Sequence, residues 1–235
     1  MKEISYRNYH RDKAYLENEA LFKNIFRKRF NIIRRYKKSP GIVLDIGAST
    51  GVMLDLFKES GWKTWGVEPS GSARHAKRKG HKIVNTFFEN AKLPRSHFDL
   101  VIMNHTLEHL DDPLAILVKV KSLLKDGGII FVDVPNAGGL GARILGSRWP
   151  YLTPDEHKQQ FTKESLAKVF KDAGFKILHF ESRSRIFEFA NPILEYWQSL
   201  TAFRRRFFAN IITLPYAICV TALNMGDSMS MVGRK

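Results

Sequence analysis

Residues 43–51 read VLDIGASTG, a stretch with an apolar run, one acid and two glycines four positions apart. Such a stretch is typical of a strand that turns sharply into a helix around a nucleotide-like ligand. Ser49 occupies the position where a dinucleotide-binding loop places the glycine that lets a pyrophosphate approach the backbone. Asp45 would repel a phosphate and attract a cation, and the chain contains no G-x-x-x-x-G-K-S/T loop. The motif therefore argues against a phosphate-bearing ligand.

A second acid, Glu68, follows the apolar residues of 63–67 and lies 23 positions after Asp45. At the end of a second parallel strand, a carboxylate can accept hydrogen bonds from the hydroxyls of a ribose. An acid for an amine, a tight turn and an acid for a ribose together describe S-adenosylmethionine (SAM), which carries no phosphate. The two acids and the loop between them predict a SAM site.

Alternating strand and helix patterns would position these residues. Apolar runs predict strands at 42–46, 63–68, 81–84, 98–104, 128–135, 176–183 and 228–235. Helical patterns with start and stop signals predict helices at 51–60, 72–79, 112–125 and 163–175. This alternation predicts a doubly wound α/β sheet, whose ligands bind beyond the carboxyl ends of the strands. Asp45 and Glu68 would both lie on that edge.

Four motifs in chain order carry a family resemblance: VLDIGASTG, GVEPS, FDLVIMNHTLEHLDDP and LLKDGGIIFVDVPN. Residues 40–184 resemble the class I SAM-dependent methyltransferases, in particular the type 23 subgroup that includes the ubiquinone-pathway O-methyltransferases. The resemblance implies a Rossmann-like, seven-stranded, mostly parallel sheet with an antiparallel last strand and helices on both faces. It also implies transfer of the SAM methyl group to a hydroxyl or carboxyl of a small-molecule, glycan or lipid-linked acceptor, with S-adenosylhomocysteine as product.

The resemblance assigns cofactor contacts to the ends of the first four strands. The loop after the first strand would shape the pocket for the methionine moiety, where Ser49 leaves a hydroxyl donor in place of glycine. Glu68 would bind the ribose, and Pro69 would line the adenine side. The complete expected set is Asp45, Gly47, Ser49, Gly51, Glu68, Pro69, Phe88, Glu89, Asn104 and His105.

Two histidines are candidates for a catalytic base. His109 lies four residues after His105, and His157 lies in a segment that the family brings over the acceptor. Either imidazole could take a proton from an acceptor hydroxyl; alternatively, His109 only caps its loop and His157 is an exposed loop residue. Glu108 beside His109 suggests a divalent ion, as is suspected in the ubiquinone-pathway relatives. Two ligands are too few, so no metal site is predicted.

The net charge of +15 favours a polyanionic partner, either nucleic acid or an anionic membrane surface. Residues 21–38 hold eight Lys or Arg and no acid, which predicts a basic amphipathic helix within an N-terminal segment, 1–39. The methyltransferase domain would span 40–235, with a helical insertion at about 186–224. One interpretation makes residues 21–38 a solvated helix face and the insertion a helical cap, packed over the active site or in a dimer interface. The other places 21–38 and 204–224 on an anionic membrane surface.

Other sequence features limit the cellular compartment and the class of methyl acceptor. The polar N-terminus predicts no secretory signal, and the single Cys219, expected to be a small buried hydrophobe, fits a cytoplasmic protein that is at most peripheral to a membrane. The Asn/Asp-Pro-Pro-aromatic motif of base amino-methylation is missing after the fourth strand. Two alternatives stay open: an RNA methyltransferase, favoured by the charge, and a non-catalytic SAM-binding subunit. Nucleic acid is the less favoured partner because no RNA-binding module is recognisable.

Overall fold

Seven strands form one sheet in the computed structural model, which describes residues 17–202 and 204–235. The strands are β1 (Ile42–Ile46), β2 (Lys63–Val67), β3 (Lys82–Val84), β4 (Phe98–Asn104), β5 (Leu124–Pro135), β6 (Lys176–Arg183) and β7 (Ser228–Arg234). Their order in the sheet is β3-β2-β1-β4-β5-β7-β6. The strand β7 runs antiparallel to both β5 and β6, and the other neighbours pair in parallel. The predicted seven-stranded, mostly parallel sheet with an antiparallel last strand is confirmed.

Helices flank the sheet. They are α1 (Glu19–Tyr36), α2 (Val52–Glu59), α3 (Ala73–Arg78), α4 (Pro113–Leu123), α5 (Leu140–Leu145), α6 (Lys163–Asp172), α7 (Pro192–Ala202), α8 (Arg204–Ile212) and α9 (Leu214–Ala222). Local chemistry sets several helix starts: the Asp112 carboxylate accepts a hydrogen bond from the Ala115 N–H at 2.9 Å, and Pro113 is the first residue of α4. Thr162 caps α6 in the same way.

Two apolar cores lie on opposite faces of the sheet, because successive residues of a strand point to opposite sides. In β4, Val101 packs in the core that contains α4 and α6, whereas Ile102 packs in the core that contains α1 and α2. Phe170 of α6 and Phe57 of α2 are both fully buried, one in each core. The central strands are thus covered on both sides, which is why they read as continuous apolar runs.

The helix α1 is part of the core rather than a free amphipathic helix. Phe26, Phe30 and Ile33 are buried on it, and the Phe30 ring meets the Phe57 ring of α2 edge to face. The apolar side of the predicted basic helix therefore contacts protein, which favours the solvated-face interpretation of residues 21–38. Residues 1–16 of the predicted N-terminal segment lie outside the described residues.

Three helices, α7 to α9, occupy the predicted insertion between β6 and β7. A small apolar cluster that includes Phe189 and Ala217 attaches them to Ile25 of α1. Cys219 on α9 is exposed, so the prediction of a buried cysteine is wrong: the helix turns Ala217 and Val220 inward instead. None of the described helices is long and apolar enough to cross a bilayer. In the predicted contact segment 204–224, the side chains of 204–206 lie outside those described.

Candidate active site

The loop after β1 is held in a left-handed conformation by close contact with the residues after β4. Gly47 has φ +82°, and a Cβ added there would lie 2.5 Å from Thr106 Oγ1. The Thr106 hydroxyl cannot retreat freely, because it donates to the Ile46 carbonyl at 2.9 Å. Gly51 has φ +81° at the start of α2, and Ser49 adopts φ +46°. Glycine is required at 47, whereas Ser49 accepts a left-handed conformation that costs about 1 kcal/mol.

Glu68 at the end of β2 fastens this loop. Its Oε2 accepts the Ser49 backbone N–H and its Oε1 accepts the Ser70 backbone N–H, both at 2.8 Å. The side chain is buried, yet a carboxylate offers roughly four lone-pair sites, so two remain for further donors. That arrangement suits the two hydroxyls of a ribose. The Ser49 hydroxyl is buried beside it with no hydrogen-bond partner among the described residues, which leaves it available to a ligand.

A cleft with an empty volume of about 810 Å³ opens at this edge of the sheet. We call it the cofactor cleft. Eight of the ten predicted cofactor contacts line it: Gly47, Ser49, Glu68, Pro69, Phe88, Glu89, Asn104 and His105. His109, a predicted catalytic base, lines it too. Phe87 and Leu110 also line it and were not predicted. Gly51 does not line it and acts through the backbone at the start of α2. That these residues contact SAM stays a prediction.

Asp45 lies in a smaller cavity that adjoins the cofactor cleft and shares Gly47, Ser49 and Asn104 with it. Burial and the nearby charge of Glu68 raise the pKa of Asp45 to about 7. A buried carboxylate of this kind gains from a cationic neighbour, because the cation offsets its lost hydration. The position therefore suits the amine of a methionine moiety.

A second cleft, of about 1040 Å³ empty volume, lies beside the first. Asn104 and His105 line both clefts, so the two spaces meet at the end of β4. His157 lines only the second cleft, together with the unpredicted Tyr151 and Arg29. Of the two predicted bases, His109 thus faces the first cleft and His157 the second.

Buried charges near the second cleft are centred on Asp133 of β5. Arg183 and the hydroxyls of Ser228 and Ser230 donate to its carboxylate, and Arg29 Nε lies 3.5 Å away. Burial alone would raise the pKa of Asp133, but the charges of Arg183 and Arg29 outweigh it and hold that pKa well below its usual range. The sequence analysis missed this network, because its members come from four distant segments.

His105 lies between two carboxylates. Its Nδ1 is 3.4 Å from Glu108 Oε1, and its Nε2 is 3.5 Å from Asp133 Oδ1. Burial tends to lower the pKa of His105, but the two carboxylates outweigh that effect, so the pKa is raised. The φ of His105 is +51°, and its backbone N–H donates to the Asp133 carbonyl at 2.8 Å. The imidazole is therefore fixed where the two clefts meet.

Glu108, His109 and His157 form a cluster whose ligand atoms all lie within 4.8 Å of one another. Each imidazole has its Nδ1 2.9 Å from a backbone carbonyl, that of Glu156 for His109 and that of Tyr151 for His157. A carbonyl only accepts, so in the neutral form each Nε2 carries a lone pair.

The carboxylate of Glu108 is almost fully buried, and its oxygen Oε1 is 4.0 Å from His157 Nε2, too far for a hydrogen bond. Burial lowers the pKa of His157, which keeps its Nε2 unprotonated near neutral pH. One carboxylate and two neutral imidazoles are a donor set that suits a divalent ion, with the outer imidazole nitrogens bonded as such sites require. The sequence offered only two of these ligands; the third, His157, lies 48 residues after His109.

Comparison with known proteins identifies the family. The model of a methyltransferase domain matches residues 17–180, more than half of the chain. The chain belongs to this methyltransferase family. It is 29% identical over 150 residues to the ubiquinone biosynthesis O-methyltransferase of Aeromonas salmonicida, and 31% over 143 residues to that of a Bradyrhizobium species. These matches cover 57% and 55% of this chain and 63% and 56% of those proteins, so the chain spans less than two thirds of their length.

Solved structures agree with the fold of this methyltransferase. Phosphoethanolamine N-methyltransferase 2 of Haemonchus contortus, solved with SAM, gives a TM-score of 0.71 at 17% identity and covers 100% of this chain and 60% of that one. A SAM-dependent methyltransferase from Archaeoglobus fulgidus gives 0.60 at 22% identity, over 93% and 100% of the two chains. The predictions of a class I methyltransferase, a Rossmann-like fold and SAM as cofactor are confirmed.

Replacing Glu68 with Gln is expected to weaken SAM binding by roughly ten- to a hundredfold, since a hydrogen bond to a charged group contributes about 1.5–3 kcal/mol. Isothermal titration calorimetry measures the affinity, and circular dichroism checks the fold. Glu59→Gln, at an exposed position on α2, serves as the control and should bind SAM like the parent protein. Unchanged affinity in Glu68→Gln would contradict the ribose assignment.

SAM affinity should depend on pH through Asp45. Its pKa of about 7 means that the free protein carries a proton there at acid pH, and a cationic ligand must displace that proton. The affinity should therefore fall as the pH drops below 7, by roughly tenfold between about pH 8 and about pH 6. The Asp45→Asn variant should bind weakly with a flat profile over this range. If the variant keeps the slope of the parent protein, the titrating group lies elsewhere.

Proposed function

We propose that this methyltransferase transfers the methyl group of SAM to a hydroxyl of a small or lipid-linked acceptor bound in the second cleft. The observation that carries the proposal is the shared wall: Asn104 and His105 line both clefts. A donor in one cleft and an acceptor in the other would meet there. The names of the ubiquinone O-methyltransferase relatives are consistent with a hydroxyl acceptor.

Residues of the cofactor cleft and of the smaller cavity beside it would orient the donor. Glu68 would hold the ribose, Asp45 the amine, and Gly47 would let the backbone approach the methionine moiety. SAM supplies an activated methyl group with its own leaving group, so holding the reactants in line accounts for much of the rate gain. A nucleophilic side chain is therefore not needed.

The cluster of Glu108, His109 and His157 would activate the acceptor. In the neutral form, the Nε2 of either histidine could accept the hydroxyl proton. The same three side chains fit a divalent ion. Such an ion, if bound there, would lower the pKa of the acceptor hydroxyl. The buried Glu108 carboxylate lies near the Nε2 lone pairs of His109 and His157. A cation between these three groups, either a proton or a metal ion, would compensate the buried charge.

The second cleft favours an uncharged acceptor. Phe22, Ile25 and Tyr151 supply apolar and aromatic contacts. The Arg29 guanidinium at its wall already donates to the carboxylate and the carbonyl of Glu188, so its charge is compensated. A hydroxyl on an apolar or aromatic body therefore fits better than a carboxylate, which would need an unpaired cation.

His109→Ala and His157→Ala should each slow methyl transfer while leaving the SAM dissociation constant nearly unchanged, since neither histidine holds the cofactor in this proposal. Calorimetric titration with Zn²⁺ should show weaker metal binding in both variants. His75→Ala on α3, a half-buried histidine elsewhere, is the control. If the variants are slow but the parent protein binds no metal, the histidines act only as bases. Full activity in both variants would show that the cluster takes no part in the reaction.

The proposed reaction is tested with methyl-labelled SAM, the purified protein and a cell extract separated into organic, aqueous and acid-precipitable fractions. We expect label in a small molecule of the organic or aqueous fraction, with little in a parallel reaction with Glu68→Gln. Ribonuclease-sensitive label in the precipitate would instead identify an RNA methyltransferase. SAM binding without any labelled product would identify a non-catalytic subunit.

A further inference from the structure

The helix α7 exposes large apolar side chains and buries polar ones. Ile193 and Trp197 are 70% and 64% exposed, whereas Glu195 and Ser199 are almost fully buried. A helix on the surface of a protein in water normally turns its apolar stripe toward the core. Here the core side takes the acid and the hydroxyl, and the large apolar side chains face outward.

The next two helices extend this apolar surface. On α8, Phe208 and Ile212 are 59% and 76% exposed while Asn210 is buried, and on α9 Ile218 is about half exposed. The helices pack on one another: the Tyr196 hydroxyl of α7 donates to the Asn210 carbonyl of α8 at 3.3 Å. The outward apolar residues therefore belong to one helical unit, and an exposed apolar area on several helices marks an interaction surface. We call it the insertion surface.

The charges around the insertion surface indicate its partner. Residues 196–226 contain no Asp or Glu and include three consecutive arginines at 204–206. The whole chain carries a net charge of +15, so two copies meeting through this surface would repel each other. Apart from the buried Glu195, the arginines are the only charged residues in the sequence of 192–222. Exposed apolar side chains in a segment of basic charge are the composition of interfacial helices that bind anionic lipid.

We propose that α7, α8 and α9 form a peripheral docking surface for an anionic lipid bilayer. The longest of them, α7, has 11 residues and spans roughly 16 Å, about half of the hydrocarbon thickness of a bilayer. The helices lie along the membrane surface rather than across it. Trp197 and Ile212 enter the headgroup and acyl boundary of the bilayer.

The docking surface does not depend on the proposed methyl transfer. It does bear on where the second cleft opens, because the inner side of the insertion packs on α1. Ile25 of α1 joins the apolar cluster with Phe189 and Ala217 and also lines the second cleft. The membrane-facing helices and the cleft are thus two sides of the same packed unit.

Sedimentation with lipid vesicles tests the proposal without any turnover. The full chain should sediment with vesicles of equal parts phosphatidylcholine and phosphatidylglycerol, and far less with phosphatidylcholine alone. Binding should weaken as salt is raised, because screening reduces the attraction to the headgroups. The double variant Trp197→Ser, Ile212→Ser should bind at least about tenfold more weakly, since it lacks two large apolar side chains that would be buried in the bilayer.

Val118→Ser is the matched control, because Val118 is about half exposed on α4, outside the insertion. It should bind vesicles like the parent protein, and all variants should retain SAM binding, which reports an intact fold. Absence of vesicle binding by the parent protein would overturn the proposal, as would full binding by the double variant. A dimer seen by light scattering that Trp197→Ser abolishes, without vesicle binding, would assign the surface to a second copy of the chain.

Discussion

The buried carboxylate of Asp133 is the interaction on which the arrangement of the two clefts depends. It receives Arg183 from β6 and two hydroxyls from β7, and Arg29 of α1 lies beside it. Arg29 also donates to Glu188 at the entry to the insertion. One charge cluster therefore joins the antiparallel end of the sheet, the N-terminal helix and the insertion. Removing one partner of such a cluster typically costs about 3–5 kcal/mol, because a buried charge stays uncompensated.

The same carboxylate sets the position of His105. Its backbone N–H is bound to the Asp133 carbonyl, and its imidazole lies between Asp133 and Glu108. A non-glycine residue in the left-handed region is held there only when its surroundings fix it. Because His105 lines both clefts, the chemistry at their junction depends on Asp133 and on the two arginines that compensate its charge, Arg183 of β6 and Arg29 of α1.

What the sequence could predict followed from local patterns. Apolar runs predicted the strands, and residues directly after β1, β2 and β4 line one cleft. Long-range pairing could not be read in this way. From sequence, Arg29 looks like one more cation of a solvated helix face. It is buried in the structure, and its partner Glu188 lies 159 residues away, so local patterns do not predict the pair. The proximity of His157 to Glu108 and His109 likewise depends on the path of the loop between α5 and α6, which local patterns do not predict.

The helix α1 and the insertion show why amphipathic composition alone does not decide what a helix contacts. Both are rich in apolar and basic residues, and from sequence both are membrane candidates. In α1 the apolar residues recur on one stripe, which the sheet and α2 can cover, so that stripe is buried. In the insertion, Glu195 and Asn210 are buried on the inner side, while Trp197 and Ile212 are exposed. Burial of these outward side chains against hydrocarbon would remove their apolar surface from water.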